Sequence, residues 1–430
     1  MRIHAHVLGC KVSRTETDGI LALLYAHGWE YTDDPALADA ILLTSCTVTA
    51  SGDSRMRRAL RRLREQAPHA VMIVSGCYVQ AFPEEAQKLD ADILLGTRER
   101  AQLPALLESF LTTHTRQCCL VPHSGEEDFE QLPCTRDAAH TRAFLQIQDG
   151  CERFCSYCII PHARGHSRSR SLVSIREAAD ALYADGCREL VLCGINLALY
   201  QHNGADLAAA AAAAAASGMP RIRLGSIEPD SLTPGMLMRL SRIPAVQPHF
   251  HLCLQSGCDR TLRAMGRQDT CTHIASLVAA LRETFGNPCI TADIITGFPG
   301  ETDADHAETM AFLKAQRVSR LHVFRYSKRP GTPAAALPGQ LPDAVRSARA
   351  LQLRTLSQTL YAAYLDSLAG RTLSVLIERP KEEGVSQGHA GEYCTVRLPG
   401  TVLPRGSICR VRVTGREEDH LTGIRCDTDS

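Results

Sequence analysis

The sequence predicts an α/β protein of three parts: a parallel α/β sheet, a partial (β/α)6 barrel and a small all-β unit at the C-terminus. Two stretches of alternating strand and helix patterns predict the first two parts. A tail of strands separated by Gly and Pro turns predicts the third. The length of 430 residues agrees with this division, because a domain takes roughly 150 residues.

The N-terminal part, predicted over residues 1–115, alternates apolar runs of strand length with helical patterns. Strands are predicted over residues 3–8, 40–43, 70–74 and 92–95, and helices over residues 15–27, 55–66 and 98–110. Repeated alternation of this kind predicts a parallel sheet covered by helices on both faces, a flavodoxin-like arrangement. Residues 116–141 lack periodicity and are predicted to be a linker with one strand at about 118–121.

The central part is predicted over residues 142–368, where the alternation resumes. Its strands are predicted over residues 143–148, 189–192, 221–224, 249–254, 290–296 and 320–324, with helices between them, among others over 174–185, 269–285 and 303–316. Six βα units in this length predict a partial barrel that is open on one side. The alanine run at 208–216 favours a helix but offers no large apolar face.

A long helix is predicted over residues 343–368, and the chain then changes character. Residues 369–430 contain strand patterns at 373–377, 393–398 and 408–413, which predict a small β-barrel or sandwich. This tail carries nine basic and nine acidic side chains, so it is neutral as a whole. An RNA-binding surface on it would need basic side chains clustered on one face.

The composition excludes several classes of protein. With 44% hydrophobic and 22% charged residues the chain is not disordered, and its formal net charge of zero gives no overall attraction to nucleic acid or membrane. No uncharged apolar run reaches the roughly 18 residues of a membrane span, and the N-terminus lacks a signal-peptide pattern. We therefore expect a cytoplasmic protein with no membrane partner. Because disulfides are rare there, its 18 cysteines point to metal binding or catalysis.

The strongest chemical signal is the loop that contains Cys151, Cys155 and Cys158. Three thiolates in one loop after a strand can hold three irons of a [4Fe–4S] cluster and leave the fourth iron open. The alternative is a structural zinc site, for which His162 or His166 would supply the fourth ligand.

A second group consists of Cys10, Cys46 and Cys77, each of which ends an apolar run. All three are therefore expected at the C-terminal edge of one parallel sheet, where open α/β sheets bind ligands. They predict a second iron–sulfur cluster with an open iron; the alternative is three separate buried cysteines.

These motifs resemble those of a known family. The C-x3-C-x2-C loop, with Tyr157 before its last cysteine, is similar to that of the radical S-adenosylmethionine (SAM) superfamily. Residues 151–170, CERFCSYCIIPHARGHSRSR, resemble the methylthiotransferases within it, and residues 158–165 and 8–12 resemble the branch that modifies N6-threonylcarbamoyladenosine (t6A) in tRNA. The chain departs from the family at residues 13–15, Ser-Arg-Thr, where Asn and a Gln-Tyr pair are usual.

The resemblance implies a radical SAM core, a C-terminal TRAM-like RNA-binding barrel, two [4Fe–4S] clusters and two roles for SAM. One SAM donates a methyl group to sulfur on the auxiliary cluster, and a second, bound to the Cys151 loop, yields the radical that removes hydrogen from C2 of adenine. The implied partners are a tRNA anticodon loop carrying t6A and an electron donor of the flavodoxin or ferredoxin type, with the enzyme a monomer. No catalytic side chain is expected beyond the cluster-bound SAM.

Polar residues at strand ends are expected to surround this cofactor, because a βα barrel carries its working residues there. The candidates in the segments that resemble family motifs are Tyr157, Gly194, Asn196, Ser226, Glu228, Gln255 and Asp293.

RNA contacts are expected from local arginines, since phosphate binding needs a basic patch. The candidates are Arg164, Arg168 and Arg170 after the cysteine loop and Arg329 near the substrate entrance. A predicted helix also carries six arginines between residues 55 and 64. They either bind RNA phosphates or simply form the solvent-exposed face of the helix.

Other functions stay open at this point. Related enzymes methylthiolate isopentenyladenosine in tRNA or an aspartate of a ribosomal protein. A different class is a non-catalytic iron–sulfur protein that binds RNA.

Overall fold

The computed structural model describes residues 1–136, 141–378 and 384–426, so residues 137–140 of the predicted linker lie outside the described residues. The N-terminal part is a parallel sheet whose strands lie in the order Glu30–Tyr31, Arg2–Val7, Ala40–Ser45, Val71–Gly76, Ile93–Leu95 and Gln117–Cys119. Its helices are Lys11–Ala26, Ala50–Gln66, Cys77–Ala81, Pro83–Ala86 and Leu103–Thr113. Successive residues such as Leu42 and Leu43 enter different hydrophobic cores, so both faces of the sheet are covered.

Two helix starts differ from the prediction for local reasons. The helix Ala50–Gln66 begins before residue 55, because the Thr49 side chain accepts a hydrogen bond from Gly52 N and caps it. The helix predicted from residue 98 begins only at Leu103, because Glu99 has a φ of 55° and cannot continue an α-helix.

The central part consists of parallel strands with helices outside them. One sheet runs in the order Ile222–Leu224, Glu189–Cys193 and Arg142–Gln146, and the other in the order Ser226–Ile227, His249–Gln255, Cys289–Thr296 and Arg320–Arg325. Only Gly225 separates Leu224 from Ser226, so the two sheets continue one another and form the predicted partial barrel. The flanking helices include Leu172–Ala184, Leu207–Ala215, Pro234–Ser241, Asp259–Ala264, Cys271–Phe285 and Asp303–Ala315. The alanine run lies in the second of them, where buried Ala210 and Ala214 allow close packing.

The helix Asp343–Asp366 leads into a closed five-stranded barrel. Its strands are Thr372–Ile377, Val385–Ala390, Thr395–Pro399, Ile408–Glu417 and His420–Arg425. The sequence predicts an all-β tail but misses the second and last strands, because Gly, Ser, Gln, His and Thr interrupt their apolar pattern. Among the described residues, no helix is long and apolar enough to cross a membrane.

Candidate functional site

The first cysteine trio lies at the C-terminal edge of three adjacent parallel strands. Cys10 directly precedes the helix Lys11–Ala26, Cys46 directly follows the strand Ala40–Ser45, and Cys77 begins the helix that follows Gly76. Gly76 has a φ of 106°, and a Cβ there would lie 2.6 Å from the Ser45 carbonyl oxygen. The turn that places Cys77 beside Cys46 therefore requires glycine.

The three thiols of this trio affect one another's ionisation. Burial raises the pKa of Cys46, and the neighbouring Cys10 raises it further. Burial raises the pKa of Cys77 to about 12; Arg164 opposes the rise, and Cys46 and Cys10 add to it. Because a metal ligand must be a thiolate, metal binding at such thiols would release protons.

The second trio lies in the loop after the first barrel strand. Cys151 N donates to the Gly165 carbonyl at 3.0 Å, and Cys158 N donates to the Cys155 carbonyl at 2.9 Å, which closes a turn. Burial raises the pKa of Cys151 and Cys155, and it raises the pKa of Cys158 to about 12. These thiols also lie close enough to raise one another's pKa.

The sulfur atoms of neither trio are arranged around a single ion. In neither trio do all three sulfurs lie within 4.8 Å of one another. A single zinc ion with bonds of about 2.3 Å would require closer sulfurs. The two histidines considered for zinc have other contacts: His166 Nδ1 lies 3.1 Å from a Glu152 carboxylate oxygen, and the His162 ring packs against Phe154. Three thiols per site therefore fit a [4Fe–4S] cluster with one open iron.

Asn196 and Arg267 lie against the second trio. Asn196 Nδ2 is 3.8 Å from Cys151 Sγ, while its Oδ1 is buried without a hydrogen-bond partner among the described residues. Arg267 Nη1 is 4.0 Å from Cys155 Sγ, and the same guanidinium pairs with Glu228 and with Asp269. Burial raises the pKa of Glu228, although Arg267 opposes the rise. The loop thus has both a carboxylate and an unpaired amide oxygen nearby, groups that can bind a polar cofactor.

Two adjoining cavities connect the trios. The larger, of about 340 Å³, is lined by Cys10, Gly194 and Ser226 among others, and the smaller, of about 170 Å³, by Tyr157, Cys158 and Gln255. Asp293 and Phe324 line both. One cysteine of each trio, Cys10 and Cys158, therefore faces this pair of cavities, with Asp293 where the two meet.

The predicted cofactor residues at strand ends are close-packed. A Cβ at Gly194 would lie 2.8 Å from Gln148 Oε1, so only glycine fits beside that strand. Gln255 has a φ of 63°, a strained conformation that turns the chain at the end of its strand. Burial raises the pKa of Tyr157 well above its usual value, so this phenol stays neutral.

Asp293 also belongs to a histidine cluster inside the larger cavity. Its Oδ1 lies 3.1 Å from His251 Nε2 and 3.6 Å from His322 Nδ1. His251 Nδ1 is 2.7 Å from Thr291 Oγ1, which in turn lies 3.3 Å from His249 Nε2. The sequence gives little indication of this cluster, because its histidines and Asp293 come from three separate strands.

The four arginines predicted to contact RNA are buried. Arg164 is fully buried and pairs with Glu16 and Asp149, while Arg168 pairs with Asp149 at 2.7 Å. Arg170 Nε donates to Ser174 Oγ at 2.8 Å. The expectation that these three bind RNA is corrected, because each donates to groups inside the protein.

Arg329 requires the same correction. It is 2% exposed and pairs with Asp53 at 2.6 Å, so it joins the barrel to the helix Ala50–Gln66 of the N-terminal part instead of facing solvent. By contrast, the helix Ala50–Gln66 exposes Arg55, Arg57, Arg58, Arg61 and Arg62. The basic surface therefore lies on this helix.

Several residues of the site are not among the site residues that the sequence predicts. Lys11, Cys193 and Arg320 line the larger cavity, and Arg267 contacts the second trio. Lys11 could have been found from its place beside Cys10, and Arg267 from its place after Gly266. The sequence does not distinguish Arg320 from the many exposed arginines that begin a strand.

Comparisons with known proteins agree with this arrangement. The model of the radical SAM superfamily matches residues 145–313, and the model described as Uncharacterized protein family UPF0004 matches residues 2–96. Threonylcarbamoyladenosine tRNA methylthiotransferase MtaB of Bacillus subtilis is 34% identical over 95% of this chain and 92% of its own length. The protein of the same name from Thermotoga maritima is 30% identical over 99% of this chain and 97% of its own length.

Two further similarities broaden the comparison. The tRNA-2-methylthio-N(6)-dimethylallyladenosine synthase of Moorella thermoacetica is 32% identical over 97% of each chain. Among solved structures, the radical SAM methyltransferase TsrM of Kitasatospora setae matches with a TM-score of 0.59 and 14% identity, covering 90% of this chain and 80% of that chain. At this identity the second similarity establishes a shared fold.

Proposed function

The chain belongs to the family of radical SAM tRNA methylthiotransferases, and on that basis we propose that it methylthiolates t6A at C2 of the adenosine next to the tRNA anticodon. The product is 2-methylthio-t6A. The observation that supports the proposal is that Cys10 of one trio and Cys158 of the other line two adjoining cavities that share Asp293 and Phe324. The names of the relatives from Bacillus subtilis and Thermotoga maritima support t6A as the substrate.

SAM and two [4Fe–4S] clusters are the cofactors, one cluster held by Cys10, Cys46 and Cys77 and the other by Cys151, Cys155 and Cys158. When bound, they supply the hydrogen abstraction and the methylthio group that side chains cannot provide. Three thiol ligands per site match the donor set of a [4Fe–4S] cluster with one open iron.

The protein's own residues orient the cofactor and substrate. Asn196 Oδ1 lacks a partner beside Cys151 and would accept a hydrogen bond from SAM. Glu228 would accept from the ribose or the ammonium group, with Arg267 fixing its carboxylate. Gly194 and Ser226 line the larger cavity, and Tyr157, Gln255 and Asp293 line the smaller one, next to Cys158.

Each part of the chain has a proposed task. Residues 1–115 hold the auxiliary cluster, residues 116–141 form a linker, residues 142–368 form the radical SAM core, and residues 369–430 form a TRAM-like unit that binds RNA. The substrate is a tRNA, with the base splayed out of its anticodon loop into the cavity. We further propose a cytoplasmic monomer that receives electrons from a flavodoxin- or ferredoxin-type donor.

Iron analysis of reconstituted protein tests the cofactor assignment. The wild type should hold about eight irons per chain, and Cys→Ala replacement of either whole trio should leave about four. Cys187→Ala, a buried cysteine in neither trio, is the matched control and should keep about eight. Retention of eight irons by either triple variant would contradict the assignment.

Nucleoside mass spectrometry tests the reaction. Cells that lack this gene should lose the methylthio group of t6A and keep their other modifications, and the wild-type gene should restore it. Loss from isopentenyladenosine instead would support the related enzyme activity. About four irons per chain without any nucleoside change would support a non-catalytic RNA-binding protein.

A further inference from the structure

We propose that the larger cavity binds the threonylcarbamoyl group of t6A, and that Lys11 and Arg320 hold its carboxylate. This inference rests on the proposed function and names the residues that recognise the N6 substituent. The cavity reaches from Cys10 to Tyr393 of the C-terminal barrel and has a volume of about 340 Å³, at the lower end of the range for small-molecule sites.

Two cations line this cavity without a carboxylate of their own. Lys11 begins the helix after Cys10, and Arg320 begins the last barrel strand. Among the described residues, neither forms an ion pair. Both cations line the cavity together with His322. Burial and the neighbouring His251 lower the pKa of His322, Asp293 opposes this shift, and Arg320 and Lys11 add to it. An anionic group between them would gain from both charges.

Asp293 does not neutralise these cations. It is the only carboxylate among the described residues that line the cavity. Its Oδ1 already faces His251 Nε2 at 3.1 Å and His322 Nδ1 at 3.6 Å. Because the one acidic group is engaged by two imidazoles, the positive charge of Lys11 and Arg320 remains available to a ligand.

An independent observation points to a polar ligand in the same place. His249 lines the cavity, is 6% exposed, and its Nδ1 has no hydrogen-bond partner among the described residues. Its Nε2 lies 3.3 Å from Thr291 Oγ1, so the ring is fixed and its other nitrogen is left unsatisfied. Buried polar groups are almost always paired, so a ligand group such as the carbamoyl or the threonine hydroxyl is expected to bind Nδ1.

This lining separates t6A from isopentenyladenosine. A hydrocarbon substituent would leave the buried His249 Nδ1 unpaired, which costs binding free energy, and it would gain nothing from the charges of Lys11 and Arg320. The Arg320 guanidinium lies 5.0 Å from the centroid of the Tyr361 ring. This contact holds the guanidinium at the edge of the cavity, where it can make a bidentate contact with a carboxylate. A site built to bind a charged group rejects an analogue that lacks the charge.

The test compares two RNA stem-loops that carry t6A either as the free acid or as its methyl ester. Binding to the reconstituted full-length protein is measured by fluorescence anisotropy at one fixed salt concentration. The wild type should bind the acid roughly 10-fold more tightly than the ester, and Arg320→Gln and Lys11→Gln should each weaken binding of the acid roughly 10-fold and leave the ester unchanged. Arg354→Gln, an exposed arginine on the helix Asp343–Asp366, should bind both RNAs like the wild type.

Equal weakening toward acid and ester, or no weakening, would overturn the proposal. Because Lys11 adjoins Cys10, the iron content of Lys11→Gln must match that of the wild type, and Arg320→Gln provides the same test away from the cysteines. The proposed function fails if the wild type does not methylthiolate the acid RNA at all. If the wild type methylthiolates the acid RNA but binds the acid and ester RNAs equally well, only this inference is wrong.

Discussion

Arg164 Nε donates a hydrogen bond to Cys77 Sγ across 3.2 Å. The same guanidinium donates to Glu16 at 2.6 Å and to Asp149 at 2.9 Å. Arg164 ends the short helix that follows Cys158, so one buried side chain connects the loops that carry the two cysteine trios. The relative position of the trios therefore depends on an ion-pair network inside the protein.

Replacing Arg164 by Met should destabilise the protein strongly. The variant would leave Glu16 and Asp149 buried with less positive charge, a change that typically costs about 3–5 kcal/mol. Urea denaturation followed by circular dichroism measures the free energy of unfolding. Arg58→Met, at an exposed arginine, should change that free energy by less than about 0.5 kcal/mol. Equal effects of the two substitutions would contradict the structural role of the network.

Replacing Arg164 by Lys should lower the reduction potential of the auxiliary cluster. Lysine keeps the charge but cannot reproduce the forked guanidinium, so the hydrogen bond to Cys77 Sγ is lost, and such bonds favour the reduced cluster. The measurement is an EPR-monitored redox titration in a background with alanine at Cys151, Cys155 and Cys158, so that only one cluster is present. An unchanged potential would show that the contact does not tune the cluster.

The positions of the cysteines could be predicted because they depend on local sequence. Cys46 and Cys77 each follow a strand of a parallel sheet, and strand ends are readable from apolar runs. The structure places them at one edge of that sheet, while their role as ligands stays a prediction. The predicted α/β fold, partial barrel and all-β tail are likewise confirmed, because periodicity determines element type.

The burial and ion pairing of the arginines could not be predicted, because both depend on the tertiary structure. Arg164 is followed by other basic residues, which suggests a phosphate site in sequence. Its partner Glu16 lies 148 positions away, and no local pattern connects the two. Arg329 and Asp53, 276 positions apart, illustrate the same limit.

Replacing Arg329 by Gln should loosen the segment after Cys46. Arg329 Nη2 donates to Thr47 Oγ1 at 2.7 Å and to Asp53 Oδ2 at 2.6 Å, which holds this segment against the barrel. Hydrogen–deuterium exchange should become faster for the amides of residues 47–53. Arg325→Gln, whose partner Asp343 is exposed, is the matched control and should leave this segment unchanged. Exchange at the wild-type rate in Arg329→Gln would count against the role of the pair.

Glu189 connects the barrel to the C-terminal unit through two arginines. It accepts from Arg221 Nε at 2.8 Å and from Arg223 Nη2 at 3.0 Å. Arg221 also donates to the Ser374 carbonyl at 3.2 Å, and Arg223 to the Gly391 carbonyl at 3.0 Å. Burial opposes ionisation of Glu189, but Arg223 and Arg221 outweigh it and hold its pKa at about 2.

This lowered pKa predicts an acid-dependent loss of stability. Because the pKa of Glu189 lies near 2 in the folded protein and near 4.5 in the unfolded chain, its contribution is complete above about pH 4.5 and is lost as the pH falls through 2. Glu189→Gln should lower the free energy of unfolding at pH 7 by about 3 kcal/mol, and the difference from the wild type should shrink below pH 4.5. Urea denaturation at a series of pH values measures both effects, with exposed Glu283→Gln as the control. A difference that stayed constant from pH 7 to pH 3 would mean that the Glu189 carboxylate does not stabilise the fold through its charge.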